Sequence, residues 1–284
     1  MLSILIPTYN YCVVSLVEAL FKEATELNIP FEILVFDDGS NSELNHENET
    51  INKLINCSFK VLDRNIGRSA IRNLLAKNAS FDNLLFLDAD VIPKKNDFIK
   101  NYLRVKNPEV VYGGISQTVP SPKKPKKLRW LYTKKREKFT TSSANFYIKK
   151  QIFNIYLFDE SLKSYGCEDV IFFENLKKDK VIFNYINNPV FHLGNDDANT
   201  FIEKTHQAIK NLIFLIDKNK ISSKKYYISN VYLKLDRFKL DVLVLYIFKL
   251  IKPMLIKNFN SSNPSLFLYD FYRLGYYCLI KNKK

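Results

Sequence analysis

The chain has 284 residues, 46 % of them hydrophobic, and its 43 Lys and Arg against 29 Asp and Glu give a formal net charge of +14. That length buries a substantial core, in one domain with an extension or in two, and the charge directs attention to anionic partners: phosphates, nucleic acid or a membrane surface. The four cysteines, Cys12, Cys57, Cys167 and Cys278, form no C-x-x-C pair, which argues against zinc or thioredoxin-like chemistry and for reduced thiols in a cytoplasmic setting.

Met1 leads into a short apolar run, Ser3 to Pro7, with no basic segment or long apolar stretch of a signal peptide ahead of it. That run reads as a buried strand, and Tyr11 to Leu27 has helical spacing. Phe31 to Phe36 reads as a second strand closed by the turn Asp37-Asp38-Gly39-Ser40. Ser42 to Asn56 is polar and reads as one helix. Phe59 to Leu62 is a third strand, Gly67 to Ala79 a helix, and Asn83 to Leu87 a fourth strand. Strands alternating with helices predict an α/β fold with a largely parallel sheet. Ligands in such sheets bind beyond the carboxyl ends of the strands. The polar clusters Pro7–Asn10, Asp37–Ser40 and Asp88–Asp90 all follow strands, so they are expected on one rim.

Beyond Pro93, Val110 to Thr118 and Thr141 to Ile148 read as strands. Pro120 to Lys138 holds three prolines, Trp130 and nine basic residues, and reads as a mobile loop. Two readings of it stay open: a solvated charged loop, or one that closes over a ligand. Phe158 to Lys178 runs from a turn into a helix, and Val190 to Asn195 carries His192 at a strand end. From about Thr200 the chain is helical. Val242 to Phe248 is wholly apolar but too short to span a bilayer, which needs about 20 residues. It either lies on an anionic membrane surface, with Lys249, Lys252 and Lys257 on the headgroups, or packs on the main domain with its lysines solvated.

The most informative stretch is Leu87-Asp88-Ala89-Asp90. With a side-chain period of two, Asp88 and Asp90 point the same way at the end of an apolar strand. Neighbouring carboxylates repel, and a divalent cation relieves them; oxygen ligands suit Mg²⁺ or Mn²⁺. An acidic turn after a strand is the plainer reading of these residues by themselves.

Several motifs then recur in one order: Ile4-Leu5-Ile6-Pro7-Thr8-Tyr9-Asn10; Val35-Phe36-Asp37-Asp38-Gly39-Ser40; Asn65-Ile66-Gly67-Arg68 with Arg72-Asn73; Leu87-Asp88-Ala89-Asp90; Ser143-Ala144-Asn145-Phe146; Phe158-Asp159-Glu160; and Tyr165-Gly166-Cys167-Glu168-Asp169 followed by His192. In this the chain resembles the inverting nucleotide-sugar glycosyltransferases of family two, over roughly residues 1 to 195. The Gly-x-Glu-Asp segment resembles their galactosyltransferase and chondroitin-polymerase branch.

The resemblance implies a GT-A fold: a Rossmann-like, mostly parallel central sheet flanked by helices. Residues 1–199 would form the catalytic domain, with a nucleotide-binding half to about residue 93 and an acceptor-binding half after it; residues 200–284 would be a helical extension. It implies transfer of a sugar from a nucleotide-sugar, expected to be a UDP-sugar, to a hydroxyl of a glycan or lipid-linked glycan. Mn²⁺ or Mg²⁺ would assist and the anomeric centre would invert. Pro7 and Tyr9 would lie against the base and Asp38 would accept its N–H. Asp90 and His192 would ligate the cation, with Asp88 on ribose or on the cation through water. Arg68 and Arg72, four apart on a helix, would hold phosphate, brace the acids, or be a plain surface pair. Asp169 would be the base, its pKa lowered by the helix N-terminus, and Glu168 would bind the acceptor. Asn145 would line the sugar site, and Gly166 would let the sugar approach the backbone. The enzyme would be cytoplasmic, on its own or peripheral on the membrane.

Two other classes compete. A sugar-phosphate nucleotidyltransferase shares the architecture but calls for a Gly-rich loop where this chain reads Pro7-Thr8-Tyr9-Asn10. A basic membrane- or nucleic-acid-binding protein accounts for the charge but not for the placed acids, and no nucleic-acid motif is present.

Overall fold

In a computed structural model of the chain, which describes residues 1–118, 120–138 and 141–282, the first apolar run forms strand β1 (Leu2–Thr8). Helix α1 (Val14–Glu26), β2 (Phe31–Asp37), a short α2 (Leu44–Asn48), β3 (Cys57–Val61), α3 (Arg68–Asn78) and β4 (Asn83–Leu87) follow. Then come β5 (Val91–Pro93), α4 (Phe98–Leu103), β6 (Val110–Tyr112), β7 (Ile115–Gln117) and α5 (Lys127–Tyr132). After β8 (Asn145–Lys149), α6 (Lys150–Ile155), α7 (Glu168–Lys178), β9 (Phe183–Tyr185) and β10 (Val190–His192), the rest is helical: α8 (Ala198–Asp217), α9 (Tyr227–Arg237), α10 (Leu240–Phe259) and α11 (Leu266–Lys281).

These elements fall into two compact units. The first is Met1–Thr118 with Arg136–Lys163 and Glu168–Gly194; the second is Val119–Lys135 with Ser164–Cys167 and Asn195–Lys284.

In the first unit a seven-stranded sheet runs in the order β3-β2-β1-β4-β8-β6-β9. Strands β3, β2, β1 and β4 are mutually parallel, so their carboxyl ends share one edge. Strand β8 is antiparallel to β4 and pairs Asn145 with Leu87, which brings its first residue to that same edge. The side-chain period of two divides the strand residues between two cores. Ile4 and Ile6 pack with Leu16, Val17 and Leu20 of α1 on one face. Leu5 and Phe86 pack with Ile71 and Leu75 of α3 and with Phe146, Phe158 and Phe172 on the other. Phe158 stacks on Phe172 at 4.2 Å and Phe86 on Phe146 at 4.9 Å. Burial of each such ring stabilises the fold by about 1.5–3 kcal/mol over its exposed state. A second, three-stranded sheet has the order β5-β10-β7.

Three elements differ from the sequence expectation, each for a local reason. The expected strand over 110–118 is two strands in different sheets. Between them the Gly113 amide donates to Asn145 and the Gly114 carbonyl accepts from Val190, so the chain changes partners there. The expected helix over 42–56 is cut to α2 and a 3₁₀ turn, Glu49–Lys53. The Asn48 side chain leaves the helix direction to accept from the Val13 amide at 2.9 Å and donate to the Tyr11 carbonyl at 3.0 Å. Third, the segment read as a mobile basic loop contains α5 and a π-helical turn, Thr133–Glu137. Its lysines mask an apolar side: Leu128 and Trp130 are buried.

In the second unit α5 lies against α8 and α11. Tyr132 meets the rings of Phe201 and Tyr269, and the Arg129 guanidinium sits 5.2 Å over the Phe201 ring. Helix α8 is capped by Asp197, which accepts from the amides of Asn199 and Thr200. Helix α10 buries Leu245, Phe248, Leu255 and Phe259; Phe248 and Phe259 meet Tyr272 of α11 edge-on. None of the helices among the described residues is long and apolar enough to cross a membrane.

Candidate active site

The strand edge collects the polar clusters as the parallel topology requires. Tyr9 follows β1 and is 55 % exposed, so its ring is available to a flat ligand. Pro7 pairs with Phe36 across β1 and β2 and is half-buried. Asp38 follows β2 and is buried, and its oxygens accept from the Ile66 amide at 2.7 Å and the Gly67 amide at 3.0 Å. Burial pushes its carboxyl above the usual value and those amides partly offset this. Asp38 therefore ties the turn after β2 to the loop that enters α3. A carboxylate has about four lone-pair sites, so a further donor remains possible.

Arg72 and Asp88 form the firmest pair of the site. Arg72, on α3, is 2 % exposed; its guanidinium donates to Asp88 Oδ1 at 2.5 Å and to the Arg68 carbonyl at 3.1 Å, and lies 5.6 Å over the Phe158 ring. Arg72 is thus paired with Asp88 within the fold. Burial alone would raise the Asp88 carboxyl, but the guanidiniums of Arg72 and Arg68 outweigh it and hold Asp88 below its ordinary value. Arg68 is half exposed, with Nη1 3.7 Å from Glu168 Oε1.

Asp90 turns to a different neighbour. His192 Nε2 is 3.4 Å from Asp90 Oδ2. The second sheet sets this meeting: His192 lies opposite Val91 in the β5–β10 ladder, and the Leu193 amide donates to the Asp90 carbonyl at 2.8 Å. Gly194 completes the wrap, since a Cβ there would collide with the Asp90 carboxylate. Among the described residues no group of three His, Cys, Asp or Glu side chains forms a metal cage. Asp90 and His192 are a carboxylate oxygen and an imidazole nitrogen on one point. That donor set fits a divalent cation whose remaining ligands come from outside the chain.

Glu168 and Asp169 open α7. Glu168 is buried. The Asp169 carboxyl accepts from the Val170 amide at 2.8 Å. The sequence reading expected the helix N-terminus to lower this acid, and the balance runs the other way. Burial and the adjacent Glu168 charge push Asp169 up to about 7, more than the Val170 amide and Arg72 offset.

Two expected site residues are occupied by the fold instead. The Asn145 carbonyl oxygen accepts from Tyr102 Oη at 2.6 Å, and its amide donates to the Gly114 and Asn188 carbonyls. With the residue only 2 % exposed, that side chain joins strands rather than lining a surface. At Gly166, which belongs to the second unit and has φ +95°, the space a side chain would take is filled by Ala208 of α8. Its backbone is shaped for helix packing, not left open toward a sugar.

Asn73 follows Arg72 on α3. It exchanges hydrogen bonds with both backbone groups of Phe158 and donates to Glu160 at 2.9 Å, which fixes the loop after α6. Gly194 was missed outright; a Gly two residues past a candidate ligand was the only signal. A cavity of about 1070 Å³ lies alongside α3, lined by Arg64, Gly67, Asn73, Lys150 and Glu160 among others, and Asp88, Asp90, Asp169 and His192 do not line it.

No curated protein matches the sequence. Solved structures do match the fold. S. aureus TarS 1-349 in complex with UDP aligns with TM-score 0.52 and 17 % identity, over 99 % of this chain and 90 % of that one. The mannosyltransferase PcManGT from Pyrobaculum calidifontis, in complex with GDP-Man and Mn²⁺, gives 0.51 and 15 %, over 76 % of this chain and 64 % of that one. GalNAc-T7 with UDP, GalNAc and Mn²⁺ gives 0.53 and 16 %, over 76 % and 47 %. In a longer S. aureus TarS structure the match spans 39 % of that chain. At these identities the likeness is one of fold, GT-A with a helical C-terminal region. The sequence pattern goes further: the model of glycosyl transferase family 2 matches residues 3–159, more than half of the chain, so the protein belongs to that glycosyltransferase family.

Proposed function

We propose that this chain transfers a sugar from a UDP-sugar to a hydroxyl of a glycan or lipid-linked glycan, with inversion at the anomeric carbon. One juxtaposition carries the reading. Asp90 and His192 converge at the end of β4, while Asp169, close enough to be influenced by Arg72 and Asp88, has a carboxyl poised to take a proton near neutral pH. The fold neighbours solved with UDP, UDP-GlcNAc or GDP-Man support a nucleotide-sugar donor.

In this reading Tyr9 stacks on the base beside Pro7, and Asp38 holds both the base and the loop at Ile66–Gly67. Asp88, kept ionised by Arg72, accepts a ribose hydroxyl. Asp90 and His192 would hold Mn²⁺ or Mg²⁺, which would supply charge neutralisation to the departing diphosphate. Arg68 adds positive charge on the same side. Asp169 accepts the proton of the acceptor hydroxyl as its oxygen bonds to the anomeric carbon. The bond from that carbon to the phosphate oxygen breaks, and its electron pair leaves with the nucleoside diphosphate. Glu168 keeps Asp169 basic and orients the acceptor with Arg68. The four free cysteines fit a reducing, cytoplasmic setting.

The test is a screen of UDP-sugars with Mn²⁺, read as UDP release, with Asp90→Ala and Asp169→Asn beside the parent. Both variants are expected to lose turnover by about 100-fold or more. Unchanged turnover in both would reject the site.

A further inference from the structure

Helix α10 leaves a continuous apolar stripe uncovered. Leu240, Leu243, Tyr246, Ile247, Leu250 and Met254 are all exposed, from 37 % at Ile247 to 70 % at Leu250. At about 100° per residue these six fall within an arc of about 120°. The other side of the helix is spent on the core of the second unit through Leu245, Phe248, Leu255 and Phe259. Nothing in the fold therefore requires large apolar side chains on the outer side, and a stripe of this length marks an interaction surface.

Charge selects the partner. Residues 242–269 contain Lys249, Lys252 and Lys257 and no Asp or Glu. Lys249 stands exposed at the edge of the stripe, and Lys257 stands exposed one turn beyond its end. Asp241, the acid of the first turn, is buried and accepts from Asn282 at 2.9 Å. A second copy docked on this stripe by a two-fold axis would bring lysines against lysines with no acid of the helix to meet them. An anionic surface meets Lys249 and Lys257, the two exposed lysines; Lys252 is half-buried on the opposite side of the helix. The helix is also too charged to span a bilayer, but its 20 residues can lie along one. Tyr246 supplies the amphipathic ring that settles at headgroup level, and the lysine stems reach past the stripe to the phosphates.

We infer that α10 lies in the surface of an anionic phospholipid bilayer, with the Leu240–Met254 stripe among the acyl chains and Lys249 and Lys257 on the headgroups. This goes beyond the glycosyl transfer and stands apart from it: the binding needs no donor, and its test uses none.

The test is flotation of the full chain with vesicles of phosphatidylcholine, with and without phosphatidylglycerol. Binding is expected only with phosphatidylglycerol, and it should weaken as salt is raised. Leu243→Glu with Leu250→Glu should abolish it, while circular dichroism shows the parent's helix content. Lys249→Glu with Lys257→Glu, a change confined to exposed positions, should weaken it about tenfold or more. Equal binding to both vesicle types, or no binding to either, overturns the inference. So does a concentration-dependent dimer of the parent that the Leu243→Glu, Leu250→Glu chain loses in sedimentation, since the stripe would then belong to a second copy.

Discussion

The end of β4 and the start of α7 each hold a carboxylate of the first unit, and their surroundings drive the two acids apart. At β4, Asp88 faces the buried Arg72 guanidinium and is held below its ordinary value. At α7, Asp169 is half-buried beside another acid and is pushed up to about 7. Similar chemistry in opposite company gives one group that stays charged and one ready to exchange a proton. On the proposed mechanism that division separates a positioning carboxylate from a base.

Five experiments break or sharpen this contrast. The largest effect is expected at Asp169. Asp169→Asn should lower kcat by about a thousandfold with donor binding unchanged, which UDP titration alongside turnover would check. If Asp169 is the proposed base, it must lose its proton to act, so kcat/KM in the parent should climb with pH through about 7 and then level. A profile flat across that range would remove the contrast. The other half is broken by Arg72→Ala, which leaves Asp88 without its guanidinium. Loss of a buried partner costs about 3 kcal/mol or somewhat more, discounted here because Asp88 keeps some solvent contact. The urea midpoint should fall accordingly, and Arg72→Ala with Asp88→Asn should recover part of the loss.

A smaller effect belongs to Gly194→Ala. The added methyl would collide with the Asp90 carboxylate, so activity should drop at least tenfold while the melting temperature moves by only a few degrees. The smallest is Glu168→Gln. It removes a like charge next to Asp169, so the rising limb of the pH profile should shift to lower pH. A shift upward would show that Glu168 acts on Asp169 by something other than its charge.

The β/α alternation to Asp90 was legible because each strand there is a contiguous apolar run with a turn signal after it. Parallel neighbours then had to deliver Tyr9, Asp38 and Asp88 to one edge. The second sheet was not legible. Strand β5, three residues long, gave no periodic signal, and although β7 and β10 fall in segments read as strands, their partners are remote in sequence. Burial hid the rest. Composition cannot tell that Asn145 spends its hydrogen bonds inside the sheet, that Trp130 sits on the covered side of a helix in a lysine-rich segment, or that burial at α7 outweighs the helix N-terminus at Asp169. Each depends on what packs against the residue, which local sequence does not carry.

The ladder of β5, β10 and β7 has a consequence for how such a protein can change over time. His192 is set against Val91 by strand register, not by the length of chain between them. Insertions or deletions between Pro93 and Val190 can therefore accumulate without moving the imidazole, provided these few rungs survive. Loops between the core strands of that stretch can change length while the contact of Asp90 with His192 keeps its geometry.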